Sequence, residues 1–316
     1  MTNFTDIRDF LRAHCARYPE LALQDVFKAL YQSAFGCEHL IADTSAAAEG
    51  IRREAAEAGP CSREIEALDG PWSRVQLGVL ADGLTPETLS RMFARSAAMS
   101  HGDADALQEK LTVLRRLIRS GALPYSPAEA DAELDDWRKN GFPVCRHSEE
   151  YRAAYRPAYR VLHRTYVRLL PLLAAIDQAL AENPRVLLAI EGGAASGKST
   201  LADLLTAIYP DTALFHADDF FLRPEQRTAA RYAQPGGNLD RERLESEILI
   251  PISRNKAAVY RPFNCRTLSL REPVTVLPGR LNIVEGSYSF HPELARYYDL
   301  SVFLDISPET QRSRIL

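Results

Sequence analysis

The stretch Gly192-Gly193-Ala194-Ala195-Ser196-Gly197-Lys198-Ser199 fits the spacing G-x-x-x-x-G-K-[ST], which is typical of a phosphate-binding loop. An apolar run over residues 186–190 precedes it and predicts a buried strand, and residues 200–205 predict a helix. Glycines let the backbone turn tightly so that its N–H groups point at phosphate oxygens, and the helix start adds the positive end of its dipole. The sequence therefore predicts a strand–loop–helix unit that binds a nucleoside triphosphate.

The side chains of this loop have separate predicted roles. Lys198 is expected to reach the β- and γ-phosphates and to stabilise charge on the phosphoryl group, and the Ser199 hydroxyl is expected to bind Mg²⁺. Contacts to the nucleotide are predicted for the loop and the first helical residues: Gly192, Gly193, Ala194, Ala195, Ser196, Gly197, Lys198, Ser199 and Thr200.

Length and composition narrow the class of protein. The chain has 316 residues, enough for two domains, and its net charge of −4 gives no general reason to expect nucleic-acid binding. No apolar run is long enough to span a membrane, and the N-terminus lacks a basic region followed by an apolar one. The five cysteines include no C-x-x-C pair. We therefore predict a reduced cytoplasmic protein with neither membrane nor nucleic-acid partners.

Residues 1–182 show almost only helical patterns. Apolar residues from Leu23 to Phe35 recur at the i, i+3, i+4, i+7 spacing of one buried helix face. Thr85-Pro86 and Ser126-Pro127 are typical of helix starts, with a capping residue followed by proline. We predict an all-α domain over residues 1–182, with Asn183-Pro184 at its junction to the second domain.

The stretch from Tyr151 to Arg168 carries an arginine at every fourth position from residue 152 and tyrosines at positions 151, 155 and 159. Because each step of four residues advances about 400° around a helix, the row winds by about 40° per step. Pro157 argues for a break, with a new helix starting near it. A solvated arginine face over a tyrosine-containing core is the favoured interpretation, and contact with an anionic ligand or RNA is the alternative.

Residues 183–316 alternate between strand and helix patterns. Apolar strands are predicted at 213–217, 281–284 and 300–304, and they indicate a parallel sheet with helices on both faces. Asp218-Asp219 and Glu285 follow two of these strands, at the sheet edge where open α/β sheets bind ligands. A carboxylate there can polarise a substrate hydroxyl or help hold Mg²⁺, and a structural role is the alternative.

Three motifs in this order resemble the uridine kinase, phosphoribulokinase and pantothenate kinase family of P-loop kinases. They are Gly-Gly-Ala-Ala-Ser-Gly-Lys-Ser-Thr, Asp-Asp-Phe-Phe and Val-Glu-Gly-Ser-Tyr, and the resemblance covers residues 184–316. It implies an α/β P-loop domain that uses ATP and Mg²⁺ to phosphorylate a hydroxyl on a small molecule, with a uridine-like nucleoside as the first candidate. It also implies a lid after the last helix, so we expect the kinase domain to be truncated.

The resemblance also assigns roles to single residues. It implies that Asp218 is the base toward the acceptor hydroxyl and helps hold Mg²⁺, and that Glu285 organises Mg²⁺. Acceptor contacts are implied for Asp240, in an Asn-Leu-Asp element, and for Tyr260 and Phe263, although Arg261-Pro262 replaces the acid of the family's acceptor segment. Arg314 resembles an arginine that contacts phosphate in the family.

Two alternatives to the kinase remain open at this point. One is a nucleotide-dependent switch in which ATP controls what the helical domain binds, and the other is phosphorylation of a polynucleotide end. Two Cys-x-His pairs, Cys37-Glu38-His39 and Cys145-Arg146-His147, carry ligands that suit Zn²⁺. Because residues i and i+2 of a helix point apart, a buried cysteine and a hydrogen-bonded histidine are the favoured interpretation.

Overall fold

A computed structural model describes residues 6–37, 43–59 and 61–316 of the chain. It divides into two compact units, Met1–Ala175 and Ile176–Leu316, called here the N-terminal unit and the C-terminal unit. The division falls within the helix Leu170–Glu182, before the predicted junction at Asn183-Pro184. The two units therefore divide inside a helix, and the sequence pattern changes from helical to alternating only after that helix ends.

Helices and a small sheet make up the N-terminal unit. Its helices are α1 (Ile7–Arg17), α2 (Leu23–Phe35), α3 (Thr44–Ala58), α4 (Pro86–Ala98), α5 (Ala104–Arg119), α6 (Pro127–Lys139), α7 (Glu149–Tyr155) and α8 (Arg164–Val167), and α9 (Leu170–Glu182) crosses into the next unit. Its strands are β1 (Ile65–Ala67), β2 (Trp72–Gln76) and β3 (Tyr159–His163). Thr85 and Ser126 cap α4 and α6 through their side chains, as the sequence predicts. No helix in the described part of the chain combines the length and apolar character of a membrane-spanning segment.

The prediction of an all-α domain is wrong, because β1, β2 and β3 form an antiparallel sheet in that order. The predicted helix after Pro157 is instead strand β3, paired along its length with β2. Arg156 has a left-handed backbone (φ 43°) that ends α7, and Pro157 cannot donate an N–H to continue it. The residues beyond are then free to extend, and Val161 and Leu162 become buried on pairing.

The predicted apolar faces of α2 and α5 do meet in the core of the N-terminal unit. Leu23, Val26, Phe27 and Leu30 of α2 are buried there. The α5 stripe is buried in the same core and consists of Leu107, Leu111, Leu114, Leu117 and Ile118. Helical spacing was therefore a sound guide wherever a helix buries one side.

A parallel sheet organises the C-terminal unit. The helices are α10 (Lys198–Ile208), α11 (Ala229–Tyr232), α12 (Arg241–Leu244), α13 (Ile250–Ser253) and α14 (Pro308–Ile315). The strands are β4 (Val186–Gly192), β5 (Thr212–His216), β6 (Ala258–Tyr260), β7 (Phe263–Asn264), β8 (Ser269–Leu270), β9 (Val274–Val276), β10 (Leu281–Glu285) and β11 (Leu300–Leu304). The four-stranded sheet has the order β11-β4-β10-β5, and β6–β9 and β7–β8 form two antiparallel pairs.

The register of the parallel strands aligns their carboxyl ends. Glu285, the last residue of β10, lies opposite Ile190 of β4 on one side and His216 of β5 on the other. Residues 186–190 are buried without alternation, as expected for a strand covered on both faces. The sheet and the strand–loop–helix at its centre fit an α/β P-loop domain.

Replacement of Leu162 by alanine tests the corrected N-terminal fold. Leu162 is fully buried in β3, so Leu162→Ala should lower the free energy of unfolding by about 2–5 kcal/mol. Val144→Ala, at a side chain that is 41% exposed, should change it by less than about 0.5 kcal/mol. Urea unfolding followed by tryptophan fluorescence reports this unit, because both tryptophans, Trp72 and Trp137, lie in it. Equal effects of the two substitutions would contradict a packed strand at 159–163.

Candidate functional site

The loop of residues 193–197 joins the end of β4 to the start of α10. Gly192 has φ 153°, and a Cβ at this position would lie 2.6 Å from the carbonyl oxygen of Leu304 on the neighbouring strand. Gly197 has φ 98° and is the N-cap of α10. Ala195 between them has a left-handed backbone as well, with φ 58°. The loop therefore turns tightly against β11 and opens the helix without a side-chain cap.

Lys198 and Ser196 show how the loop is arranged internally. The Lys198 Nζ donates to the carbonyl oxygens of Gly192, at 3.0 Å, and Gly193, at 2.9 Å, so the positive charge lies against the loop. The Ser196 Oγ is buried and has no hydrogen-bond partner among the described residues. A buried hydroxyl without a partner is costly, and a phosphate oxygen bound in the loop would supply one.

Ser199, His216 and Glu285 come together at the carboxyl ends of the strands. The Glu285 carboxylate is buried, and its Oε1 lies 3.3 Å from the Ser199 Oγ and 2.6 Å from the His216 Nδ1. The hydrogen bond to Glu285 is the main cause that raises the pKa of His216. A hydroxyl and a carboxylate oxygen are the ligands that Mg²⁺ prefers, so Ser199 and Glu285 are suited to hold this ion.

His216 was missed by the sequence analysis. It is the last residue of β5, one position before the turn that carries Asp218, and its link to Glu285 depends on β10 being the neighbour of β5. A polar residue at the end of an apolar strand was the available signal.

Asp218 and Asp219 lie in a 3₁₀ turn, Ala217–Phe220, directly after β5. Asp218 is exposed, whereas Asp219 is half-buried and burial raises its pKa. The positive charges of Arg271 and Arg243 act in the opposite direction and lower the pKa of Asp219. The two neighbouring carboxylates therefore have different surroundings, and the assignment of the base to Asp218 stays a prediction.

The three predicted acceptor residues do not share one surface. Asp240 is 1% exposed and its carboxylate accepts hydrogen bonds from the Arg243 N–H and the Gln226 Nε2. Tyr260 is buried and stacks on Phe220 with ring centroids 5.4 Å apart. Asp240 caps α12 and Tyr260 packs in the core, so each has a structural role there.

Phe263, by contrast, lines a cleft of about 290 Å³. Phe221, two residues after Asp219, lines the same cleft. The Arg227 guanidinium lies 5.7 Å from the centroid of the Phe263 ring, and its Nε donates to the Leu222 carbonyl. The other lining residues are Phe221, Leu222, Tyr232, Asn238, Cys265 and Leu268. Aromatic walls with a few polar groups are typical of a small-molecule pocket.

Helix α14 contacts the loop through two side chains. The Arg314 Nη1 donates to the Ala195 carbonyl and the Gln311 Nε2 donates to the Ala194 carbonyl, each at 2.9 Å. Arg314 was predicted to contact phosphate, and the structure places it on the loop backbone. Gln311 was not predicted, since nothing in the local pattern of α14 distinguishes it.

The zinc hypothesis finds no support in the described residues. The Cys37 Sγ donates to the Val161 carbonyl at 2.9 Å, and His39 lies outside the described residues. Both ring nitrogens of His147 have protein partners, Asp25 and Tyr159, each at 2.7 Å. Within the described ranges, no group of three or more His, Cys, Asp or Glu side chains is arranged to hold a metal ion.

No protein-family model matches the chain, and no curated protein matches its sequence. Among solved structures, the chain is similar to the "Structure of a Possible Uridine Kinase from Bacillus stearothermophilus", with 20% sequence identity and a TM-score of 0.36. The match covers 44% of this chain and 84% of the other. At this level the similarity carries no conclusion, and the candidate site rests on its own geometry.

Alanine at Gly192 or Gly197 separates steric from backbone effects in the loop. Both substitutions place a side chain at positive φ, which costs about 1–3 kcal/mol. Only Gly192→Ala also forces a Cβ against Leu304, because a Cβ at Gly197 meets no heavy atom within 4 Å. Overpacking should cost Gly192→Ala about 1–3 kcal/mol more. Hydrogen exchange of the β4 and β11 amides measures this difference. Equal protection in both variants would contradict the close approach of the two strands.

Proposed function

We propose that the C-terminal unit transfers a phosphoryl group from ATP to a hydroxyl of a small molecule, with a uridine-like nucleoside as the first candidate acceptor. The observation that carries this proposal is the meeting of the loop, Lys198, Ser199 and Glu285 at one edge of the parallel sheet. The chain would hold ATP and Mg²⁺ as cofactors. The sheet edge brings a phosphate cradle, metal ligands and a candidate base into one region, as phosphoryl transfer requires.

The loop residues fit a nucleotide. The positive backbone angles at Ala195 and Gly197 and the lack of a side-chain cap leave the first N–H groups of α10 available to an anion. Ser196 supplies a buried hydroxyl without a partner. Lys198 would exchange its two carbonyl partners for phosphate oxygens, which are stronger acceptors because they are charged. Arg314 and Gln311 support the loop by bonding its carbonyl groups.

Ser199, Glu285 and Asp218 are the residues that would hold Mg²⁺, and the ion would supply neutralisation of the charge on the phosphates. Glu285 can orient both Ser199 and His216, because the two donate to the same carboxylate oxygen. The hydrogen bond from His216 in turn holds the Glu285 carboxylate in place. In this proposal His216 is not itself a ligand of the ion.

Asp218 is the proposed base. As the oxygen of the acceptor hydroxyl forms its bond to the transferred phosphorus, the bond to the leaving phosphate oxygen breaks, and Asp218 takes the hydroxyl proton. Its exposed position after β5 leaves the carboxylate accessible to an acceptor. The cleft at Phe263 and Arg227 is also lined by Phe221, three residues after Asp218, and offers room for the remainder of that molecule.

Removal of the loop lysine tests nucleotide use. Lys198→Ala should abolish product formation and weaken ATP binding, because no nearby lysine in the sequence can replace its charge. Lys256→Ala, at the next lysine along the chain, is the matched control and should leave both unchanged. Turnover is measured with Mg·ATP and a panel of nucleosides, pantothenate-like alcohols and sugars, read by phosphorylated product. Undiminished turnover in Lys198→Ala would refute the assignment.

The paired aspartates provide a separate test of the base. Asp218→Asn should lower transfer by a factor of about 10² or more while ATP affinity stays within a few-fold, since a positioned base acts in the chemical step. Asp219→Asn, at the more buried neighbour, should have the smaller effect on transfer. If Asp219→Asn is the damaging change and Asp218→Asn is silent, the base is Asp219.

A further inference from the structure

A cavity of about 260 Å³ lies between helix α1 and strand β1 of the N-terminal unit, and the proposed kinase activity does not use it. Helix α1 lines it with Phe10, Ala13, His14 and Arg17, and residues 64–67 line it from the side of β1. Apolar side chains thus share the wall with a few polar ones, as in many sites for small molecules.

The imidazole of His14 is a buried polar group in this wall. His14 is only 3% exposed, and the Phe10 ring stacks on the imidazole with centroids 5.3 Å apart. Its Nδ1 lies 2.9 Å from the Glu66 Oε1. Its other ring nitrogen, Nε2, is buried and has no hydrogen-bond partner among the described residues. A buried polar atom without a partner is costly, so a ligand that supplies one is stabilised here.

The position of the imidazole proton follows from the charges around this pair. Burial alone would raise the pKa of Glu66, but the charge of Arg74 and the hydrogen bond from His14 lower it to about 2. Burial lowers the pKa of His14, against the effect of its hydrogen bond to Glu66, so the ring is neutral near pH 7. The ionised carboxylate accepts the Nδ1 proton, which leaves Nε2 with a free lone pair.

Strand β1 brings backbone groups to the same cavity, because it is an edge strand of its sheet. The Gln76 N–H donates to the Glu64 carbonyl, so residues 64 and 66 turn their backbone groups toward β2. Since these groups alternate in direction along an antiparallel strand, the N–H and C=O groups of Ile65 and Ala67 point away from β2. Both residues line the cavity, and their backbone groups form the free edge of the sheet.

The charged groups around the cavity are balanced in pairs. The Arg17 guanidinium donates to both carboxylate oxygens of Glu64. The Glu66 carboxylate has the Arg74 guanidinium as its opposite charge, with 3.4 Å between Oε2 and Nη1. A charged ligand would therefore find no uncompensated opposite charge among the described residues of the wall. The cavity suits an uncharged molecule.

We propose that this cavity binds a small uncharged amide, such as a lactam ring, whose N–H donates to the His14 Nε2. The amide carbonyl accepts a hydrogen bond from the backbone N–H of Ile65 or Ala67, and the carbon atoms of the ring contact Phe10 and Ala13. An amide meets these requirements because it holds a donor and an acceptor on adjacent atoms and carries no charge.

Titration of the full chain, labelled with ¹⁵N in its histidines and followed by NMR, tests the proposal with four compounds: δ-valerolactam, its N-methyl derivative, cyclohexanone and cyclohexanol. We expect saturable binding of the lactam, about tenfold tighter than that of the N-methyl lactam and the ketone, which lack the N–H. The lactam should shift the Nε2 resonance of His14, which is identified by its absence in His14→Phe. Cyclohexanol donates an O–H but has no carbonyl, so it should bind more weakly than the lactam.

Two alanines of α1 provide a matched pair of variants. Ala13→Leu places a larger side chain in the cavity wall and should abolish lactam binding. Ala16→Leu makes the same change at an exposed position that is not among the described residues of the wall, and should leave binding unchanged. His14→Phe keeps a ring beside Phe10 but removes Nε2, so it should remove the preference for the lactam over its N-methyl derivative. If circular dichroism shows that His14→Phe is unfolded, the alanine pair and the four compounds decide.

Three results would overturn the proposal. The first is an absence of saturable lactam binding by the folded chain, in which case water is the partner of the His14 Nε2. The second is lactam binding that Ala13→Leu leaves unchanged, because the compound then binds elsewhere. The third is binding of cyclohexanol or the N-methyl lactam as tight as that of the lactam. None of these results bears on the proposed phosphoryl transfer, which product formation measures separately.

Discussion

The backbone hydrogen bonds that set β10 between β4 and β5 are the constraint on which the candidate site depends. Parallel strands in register end at one edge, so Glu285 comes level with Ile190, just before the loop, and with His216, just before Asp218. A sheet in which β5 and β10 changed places would separate Glu285 from Ser199. The site is therefore a product of strand order, and the loop motif supplies only part of it.

Burial determines how strongly the polar groups of this edge hold one another. Glu285 is buried away from water. Loss of one hydrogen bond to a buried carboxylate lowers the free energy of unfolding by about 1–3 kcal/mol or more. Ser199 and His216 donate to the same oxygen and so stabilise its charge. Lys198 satisfies two loop carbonyls in the same manner. Each of these side chains is held in place by a protein partner, so the edge of the sheet is ordered by its own hydrogen bonds.

Local sequence patterns predicted those parts of the fold that are set by residues close together in the sequence. The loop, the parallel strands and the apolar faces of α2 and α5 follow from spacing and composition, and the structure contains each of them. Strand β3 could not be predicted in this way, since its pairing with β2 joins residues far apart in sequence. His216 and Gln311 were missed for the same reason. Spacing also does not distinguish a buried cap such as Asp240 from a residue that faces a ligand.

The two units use buried polar groups differently. The polar groups of the C-terminal unit collect where strands end, next to exposed residues such as Asp218. The N-terminal unit instead buries Arg74, Glu66 and Asp25 completely or almost so. Arg74 and Glu66 form a buried ion pair, with 3.4 Å between the Arg74 Nη1 and the Glu66 Oε2. Replacing such a pair by apolar residues is often neutral or stabilising by about 1–4 kcal/mol, so stability alone does not account for its presence. The Arg74 guanidinium lies 5.0 Å from the centroid of the Tyr159 ring, and its Nε donates to the Gln32 Oε1 at 2.8 Å. The buried guanidinium thus orients an aromatic ring and an amide, which apolar side chains in its place would not do.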